Sequence, residues 1–235
     1  MLDDQFINIK LTRQNLHLYA IRTSILNAID KNLKFLEGDL LDLGCGKMPY
    51  KEYILKNSNV KKYIGLDINT ALDYSESIKP DLYWDGVTMP VQTATYDCAI
   101  ATEVLEHCNN PDQFMEETYR VLKEDGYFFF TVPFIWNLHE VPYDEYRYTP
   151  FALERIMRNA GFSDIKLYAT GGWHASLAQM LGLWVKRCGL TKSKERAFSF
   201  ILKPFIKFLL KKDRKVKVLF KEGQMITGIY GIAKK

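Results

Sequence analysis

The stretch FIWNLHEVPYDEYRYT, residues 134–149, crowds titratable and aromatic side chains into a short span. His139 has an ordinary pKa near neutrality, which suits a general base that takes a proton from an oxygen or nitrogen nucleophile. Glu140 and Asp144 are close enough to orient its ring. Arg147 could steer an anionic acceptor, while Trp136 and Tyr146 offer flat surfaces to pack on one. A purely structural reading also stands: Tyr143, Asp144, Tyr146 and Arg147 could form a network that seats the helix after Thr149. His107 and His174 are further candidates to border an acceptor. His17, on the first expected helix, is expected at the surface.

A second group suits a nucleoside. Leu41-Asp42-Leu43-Gly44-Cys45-Gly46 is an apolar strand running into Gly-x-Gly, where a backbone without Cβ atoms can turn sharply and approach a ligand. Lys47-Met48-Pro49 follows, so the third glycine of the dinucleotide fingerprint is missing and pyrophosphate is disfavoured. The next apolar run ends in Gly65-Leu66-Asp67. An acid at the end of a second strand can accept hydrogen bonds from both ribose hydroxyls; it could equally be a solvated turn acid.

These residues need a frame, and the hydrophobic pattern supplies one. A helix is expected within 12–36 from apolar residues at spacings of three and four. Buried strands follow at the DLLDL run, at 62–68, at 81–86, at 96–102 and at 126–134. Helices are expected at 47–57, 111–122 and 149–160, the last two opened by an early proline. IKLYAT and ITGIYGIAK read as the sixth and seventh strands. Strands apolar throughout, alternating with helices, indicate an α/β fold: a parallel sheet covered by helices on both faces. The 235 residues suit one such domain. Residues 1–37 form an expected helical lid region, and 173–221 an expected helical, basic insertion before the last strand.

Composition narrows the class. A net charge of +4 is too weak by itself to argue for nucleic acid. The four cysteines include no CxxC pair, and no Cys/His cluster has zinc spacing, so no metal site is expected. Reduced, buried thiols suit a cytoplasmic setting. The first residues, MLDDQFINIKLT, carry acids and no long apolar core, unlike a secretory signal.

The blocks LLDLGCG, GLDI, DLYWDG, YDCAIATEVLEH and YRVLKEDGYFFFTVP, in this order and spacing, resemble class I S-adenosylmethionine-dependent methyltransferases of the type 11 group. The resemblance covers about residues 38–134, more loosely to 170 and at the final strand. It implies a Rossmann-like, mostly parallel seven-stranded sheet with helices on both faces and an antiparallel last strand, and S-adenosylmethionine as cofactor. Gly44, Cys45 and Gly46 would pass its methionine part, with Asp42 at the amino end. Asp67 would hold the ribose and Ile68 the adenine, with Asp85 and Gly86 near the adenine amino group. Thr102 and Glu103 would stand beside the methyl group. The loop's third small residue is replaced here by Lys47 or Met48. Residues 136–149 resemble the WNxHExPYDxYRYT segment of a bacterial subset, many of whose members are associated with cell-surface saccharide or lipid-linked pathways. That sets the expected acceptor as a small molecule, a glycan or a lipid-linked compound.

In AFSFILKPFIKFLL, Phe198, Ile201, Leu202, Phe205, Phe208 and Leu209 form one helical stripe and Lys203, Lys207 and Lys211 another, with Pro204 expected to kink the helix or start a new one. Positive charge continues to Lys221. Residues 197–221 could meet an anionic membrane surface from the cytoplasmic side, or pack on the domain or on a second subunit of a homo-oligomer. Competing functions are an RNA methyltransferase that uses 192–221 as a clamp, a binding module without turnover, and an NAD-dependent oxidoreductase. The absence of an RNA-binding module and of the third glycine weighs against the first and last.

Overall fold

The computed structural model describes residues 5–68 and 79–235. The expected N-terminal helical region is therefore seen from residue 5 onward. One seven-stranded sheet runs in the order β3-β2-β1-β4-β5-β7-β6. Its strands are β1 (Glu37–Leu43), β2 (Asn59–Ile68), β3 (Leu82–Trp84), β4 (Tyr96–Thr102), β5 (Leu122–Pro133), β6 (Ser163–Ala169) and β7 (Gly228–Lys234). β1 to β5 pair in parallel, and β7 is antiparallel to both β5 and β6, as expected.

Alternate side chains of the inner strands feed two cores. Leu41, Leu43, Ala99, Phe128 and Phe130 face one side with Phe114 and Leu153. Leu40, Cys98, Ile100 and Phe129 face the other with Ile25, Ile29 and Ile54. Strands buried on both faces cannot alternate apolar with polar, which is why their sequences read as continuous apolar runs.

The helices are α1 (Tyr19–Asn32), α2 (Lys51–Asn57), α3 (Pro111–Val121), α4 (Pro150–Asn159), α5 (Trp173–Arg187) and α6 (Lys192–Asp213). α1 is shorter than expected because Thr12 and Asn15 cap each other. The Thr12 N–H donates to Asn15 Oδ1 at 2.8 Å and the Asn15 N–H to Thr12 Oγ1 at 3.3 Å, which holds the preceding residues in a turn. α3 and α4 start as expected: the side chains of Asn110 and Thr149 each accept an amide hydrogen bond, with proline at the first helical position.

The 173–221 insertion consists of α5, α6 and the segment after them. α5 has no local N-cap. Buried Asp213, at the far end of α6, instead accepts from the N–H groups of Gly172 at 3.0 Å and Ala175 at 3.0 Å, so a carboxylate from another helix meets the positive end of α5. α6 passes through Pro204 without interruption. The bond Pro204 cannot make belongs to the carbonyl of Phe200, a residue exposed to water. The expected stripe on α6 divides in two. Leu209 is buried with Leu16, Ala178, Val185 and Ile206, and Phe198 and Leu202 pack half-buried against them, whereas Ile201, Phe205 and Phe208 are exposed, as is Phe200 outside the stripe.

The chain before α1 crosses α5 at Gly182, where an added Cβ would stand 2.5 Å from the Leu16 carbonyl oxygen. This crossing buries His17 and corrects its expected surface position. Desolvation, with Arg187 and Lys186 nearby, lowers its pKa to about 4.

Candidate active site

The candidate site lies at the carboxyl ends of the parallel strands, where open α/β sheets bind ligands. Gly44 and Gly46 both have left-handed backbone, φ 64° and 49°. A Cβ on Gly44 would stand 2.6 Å from Val104 Cγ2, so the turn after β1 is closed by packing against the turn after β4. Met48 takes φ 48° in the position of the missing small residue, held by its N–H donating to the Cys45 carbonyl at 2.7 Å. A left-handed backbone at a side-chain residue is strained, and this hydrogen bond holds it. Cys45 is buried, and burial pushes its thiol well above the ordinary range, so it stays an unreactive thiol.

Asp67 ends β2 beside this loop. Its Oδ2 accepts from the Gly46 N–H and its Oδ1 from the Ile68 N–H, each at 2.8 Å. Burial raises its pKa, and these two amides oppose the rise. A carboxylate has about four acceptor positions; two remain, which fits a ribose diol. Ile68 is an exposed apolar residue next to it, suited to cover a flat base. These features fit the nucleoside end of S-adenosylmethionine.

The other residues expected around the cofactor divide by environment. Asp42 is buried and accepts from the Tyr63 hydroxyl at 2.6 Å. Burial raises its pKa to about 7, against the Tyr63 hydrogen bond and with a further push from Asp67. Asp85 is exposed and accepts from the N–H groups of Val87 at 2.8 Å and Thr88 at 3.0 Å, which hold its carboxyl below the ordinary value. Gly86 follows at φ 85° with open space where a Cβ would be. Thr102 is half-buried at the end of β4. Glu103 has φ 57°, rare for a side-chain residue, and this turns its carboxylate to accept from the Thr131 hydroxyl at 2.8 Å. Burial raises its pKa, against that hydrogen bond. Glu103 also lines a cavity with Ile21 and Ser24 of α1, Val132 and Pro133 of β5, and Gln179 of α5.

The loop after β5 closes onto the turn after β4. Arg147 forms a two-pronged pair with Asp144 at 2.7 and 2.8 Å and also donates to the Tyr146 carbonyl, so it braces the loop. Burial would raise the Asp144 carboxyl, but Arg147 and the His139 N–H outweigh it and hold the pKa at about 2. Tyr146 stacks on Tyr148, whose hydroxyl donates to the Leu105 carbonyl at 2.9 Å.

His139 Nδ1 lies 3.2 Å from Asp144 Oδ2, close but off the axis of a hydrogen bond. Burial lowers its pKa, against Asp144, which keeps the ring neutral near pH 7. Glu140 does not orient His139; its Oε2 is 3.8 Å from His107 Nε2. Trp136 stands between rings, 6.5 Å from His17 and 6.4 Å from His139. His107 and His139 are brought together, ring centres 4.7 Å apart. His174, half-buried in the first turn of α5, makes no hydrogen bond or ring contact with this group among the described residues.

Glu106 is the functional candidate that sequence reasoning passed over. Its side chain is fully buried between Leu105 and His107. A charged residue inside an apolar turn was the available signal, masked by the exposed-looking acids around it.

A seven-stranded sheet in this order, with β7 antiparallel and a glycine turn facing an acid at the end of β2, defines a class I S-adenosylmethionine-dependent methyltransferase domain. The methyltransferase-domain family model matches residues 14–167, and the chain belongs to that family. An uncharacterized protein of Methanocaldococcus jannaschii is 34% identical over 115 residues, 47% of this chain and 42% of that one. The chain therefore spans less than half the length of this curated relative. Among solved structures, a methyltransferase of Archaeoglobus fulgidus superposes with TM-score 0.55 at 17% identity, covering 99% of this chain and 97% of that one. Phosphoethanolamine N-methyltransferase 2 of Haemonchus contortus, in complex with S-adenosylmethionine, gives 0.56 at 13%, covering 100% and 60%. A methyltransferase of Thermotoga maritima gives 0.58 at 15%, covering 100% and 98%.

Proposed function

We propose that the protein transfers the methyl group of S-adenosylmethionine to an oxygen, in preference to a nitrogen, of a small-molecule, glycan or lipid-linked acceptor. The observation that carries this reading is the half-occupied Asp67 carboxylate between the glycine turn and exposed Ile68. The cofactor, when bound, supplies a methyl group already activated by its sulfonium. The chain then has to position the two partners and keep water out. Asp67 and the glycine turn hold the nucleoside, while Glu103 and Thr102 border the reacting end. α1 and the segment before it cover the cavity as a lid. His139, neutral and beside Asp144, takes the acceptor's proton. Calorimetry with S-adenosylmethionine and with NAD tests the reading. One-to-one binding of the first and none of the second is expected; the reverse would replace it with an oxidoreductase.

The exposed Phe200, Ile201, Phe205 and Phe208, interleaved with Lys203, Lys207 and Lys211, favour a membrane-facing role for α6. No described helix is long and apolar enough to cross a membrane. The expected result is co-sedimentation with anionic vesicles at low salt, lost at high salt and in a Phe205→Ser/Phe208→Ser variant. Absence of binding at low salt removes the membrane role and leaves methyl transfer standing.

A further inference from the structure

Neither carboxylate oxygen of fully buried Glu106 has a hydrogen-bond partner among the described residues. Arg147 acts on it through space but makes no hydrogen bond to it, while Glu103 and Asp144 oppose its charge, so the buried carboxylate still calls for a proton or a bound cation. His107 Nε2 lies 3.9 Å from Glu106 Oε1. Its other ring nitrogen, Nδ1, is 3.0 Å from the Tyr143 carbonyl oxygen. A carbonyl can only accept, so in the neutral ring Nδ1 carries the hydrogen and Nε2 keeps its lone pair on the Glu106 side. His139 completes the group. One ligand atom from each of Glu106, His107 and His139 lies within 4.8 Å of the others.

His107 has the outer partner that orients a metal-bound imidazole, the Tyr143 carbonyl; beside His139, Asp144 Oδ2 stands 3.2 Å from Nδ1 but off the hydrogen-bond axis. Ligands about 2.1 Å from a tetrahedral ion stand about 3.4 Å apart, so from separations within 4.8 Å a contraction of at most about 1.4 Å closes the shell. Glu140 Oε2 is 3.8 Å from His107 Nε2, so a second, partly exposed carboxylate borders the group.

We propose that Glu106, His107 and His139 form a binding site for a divalent transition-metal ion. Two imidazoles and one carboxylate suit zinc, cobalt or ferrous iron better than magnesium or calcium. The site requires no methyl transfer in order to bind. Only its consequence rests on the reading above: the ion would lower the pKa of an acceptor hydroxyl, and with His139 occupied as a ligand the released proton would pass to solvent water.

The test uses the full chain, stripped with chelator, with exposed Cys188 replaced by serine so that this thiol does not compete. Zn²⁺ is titrated by calorimetry, and Co²⁺ is followed by its visible absorption. One Zn²⁺ per chain and strong cobalt bands are expected. His107→Gln and His139→Gln should each weaken Zn²⁺ binding by about 100-fold or more. Because Glu106→Gln could disturb the core, the two histidine variants decide, with S-adenosylmethionine binding as the check that each is folded. No saturable Zn²⁺ or Co²⁺ binding, or full affinity in both variants, overturns the site; Glu106 is then held by a proton. Cofactor binding without ion binding would sink this proposal alone. Ion binding without cofactor binding would sink only the methyltransferase reading.

Discussion

Replacing Asp67 with alanine is expected to weaken S-adenosylmethionine binding by about 100-fold or more. Hydrogen bonds to a charged acceptor contribute about 1.5–3 kcal/mol each, and a ribose diol would make two. At about 1.4 kcal/mol per tenfold, even the lower figure gives roughly that factor. The alanine variant also leaves the Gly46 N–H without its acceptor, which loosens the loop that passes the methionine part. Asp67→Asn keeps one acceptor oxygen and should lose about tenfold, in line with one surviving charge-free bond. Acidity offers an independent check. Burial holds the Asp67 pKa above the ordinary aspartate value. Binding that needs the carboxylate therefore weakens as pH falls through that raised pKa, earlier than for a solvated aspartate, and Asp67→Asn should not show this acid loss. Calorimetry of the three proteins across pH checks both points. An unchanged Kd in Asp67→Ala would remove the nucleoside site from this end of the sheet.

His139→Ala is expected to bind S-adenosylmethionine with wild-type affinity and to lose roughly 10²- to 10⁴-fold in kcat, the range for removing a positioned proton acceptor. The two measurements separate because His139 makes no hydrogen bond to Asp67 or the glycine turn among the described residues, and its ring contacts are with Trp136 and His107. Arg147→Ala should behave differently. It frees buried Asp144 from its only bidentate partner among the described residues, so the loop itself would lose order and thermal stability would fall with activity. Unimpaired turnover in His139→Ala, measured by methyl release from labelled cofactor, would end the general-base assignment.

The frame of this site was legible because it rests on local physics. Doubly buried strands must be apolar along their length, so β1, β2, β4 and β5 announced themselves. The start of α4 was readable from Thr149 and Pro150 because an N-cap is made within three residues. Gly44 and Gly46 marked the turn, since left-handed backbone there favours residues without a Cβ. Met48 shows the limit of that rule: a hydrogen bond to Cys45 holds a methionine where the pattern asked for a small residue.

The sequence by itself determined the α/β class, the order of the elements and the place of the glycine turn, all of which follow from periodicity and short-range backbone preference; spacing alone left Asp67 open, and only the family resemblance singled it out. Only the tertiary structure decided that His107 meets His139, that Glu140 turns to the first rather than the second, and that Glu106 is buried without a hydrogen-bond partner among the described residues. It also decided that His17 lies beneath α5 and that the apolar stripe of α6 is half covered. These outcomes depend on contacts between residues tens of positions apart. Burial and pairing at that range are set by how the loops close over the strand ends, and no local spacing encodes that closure.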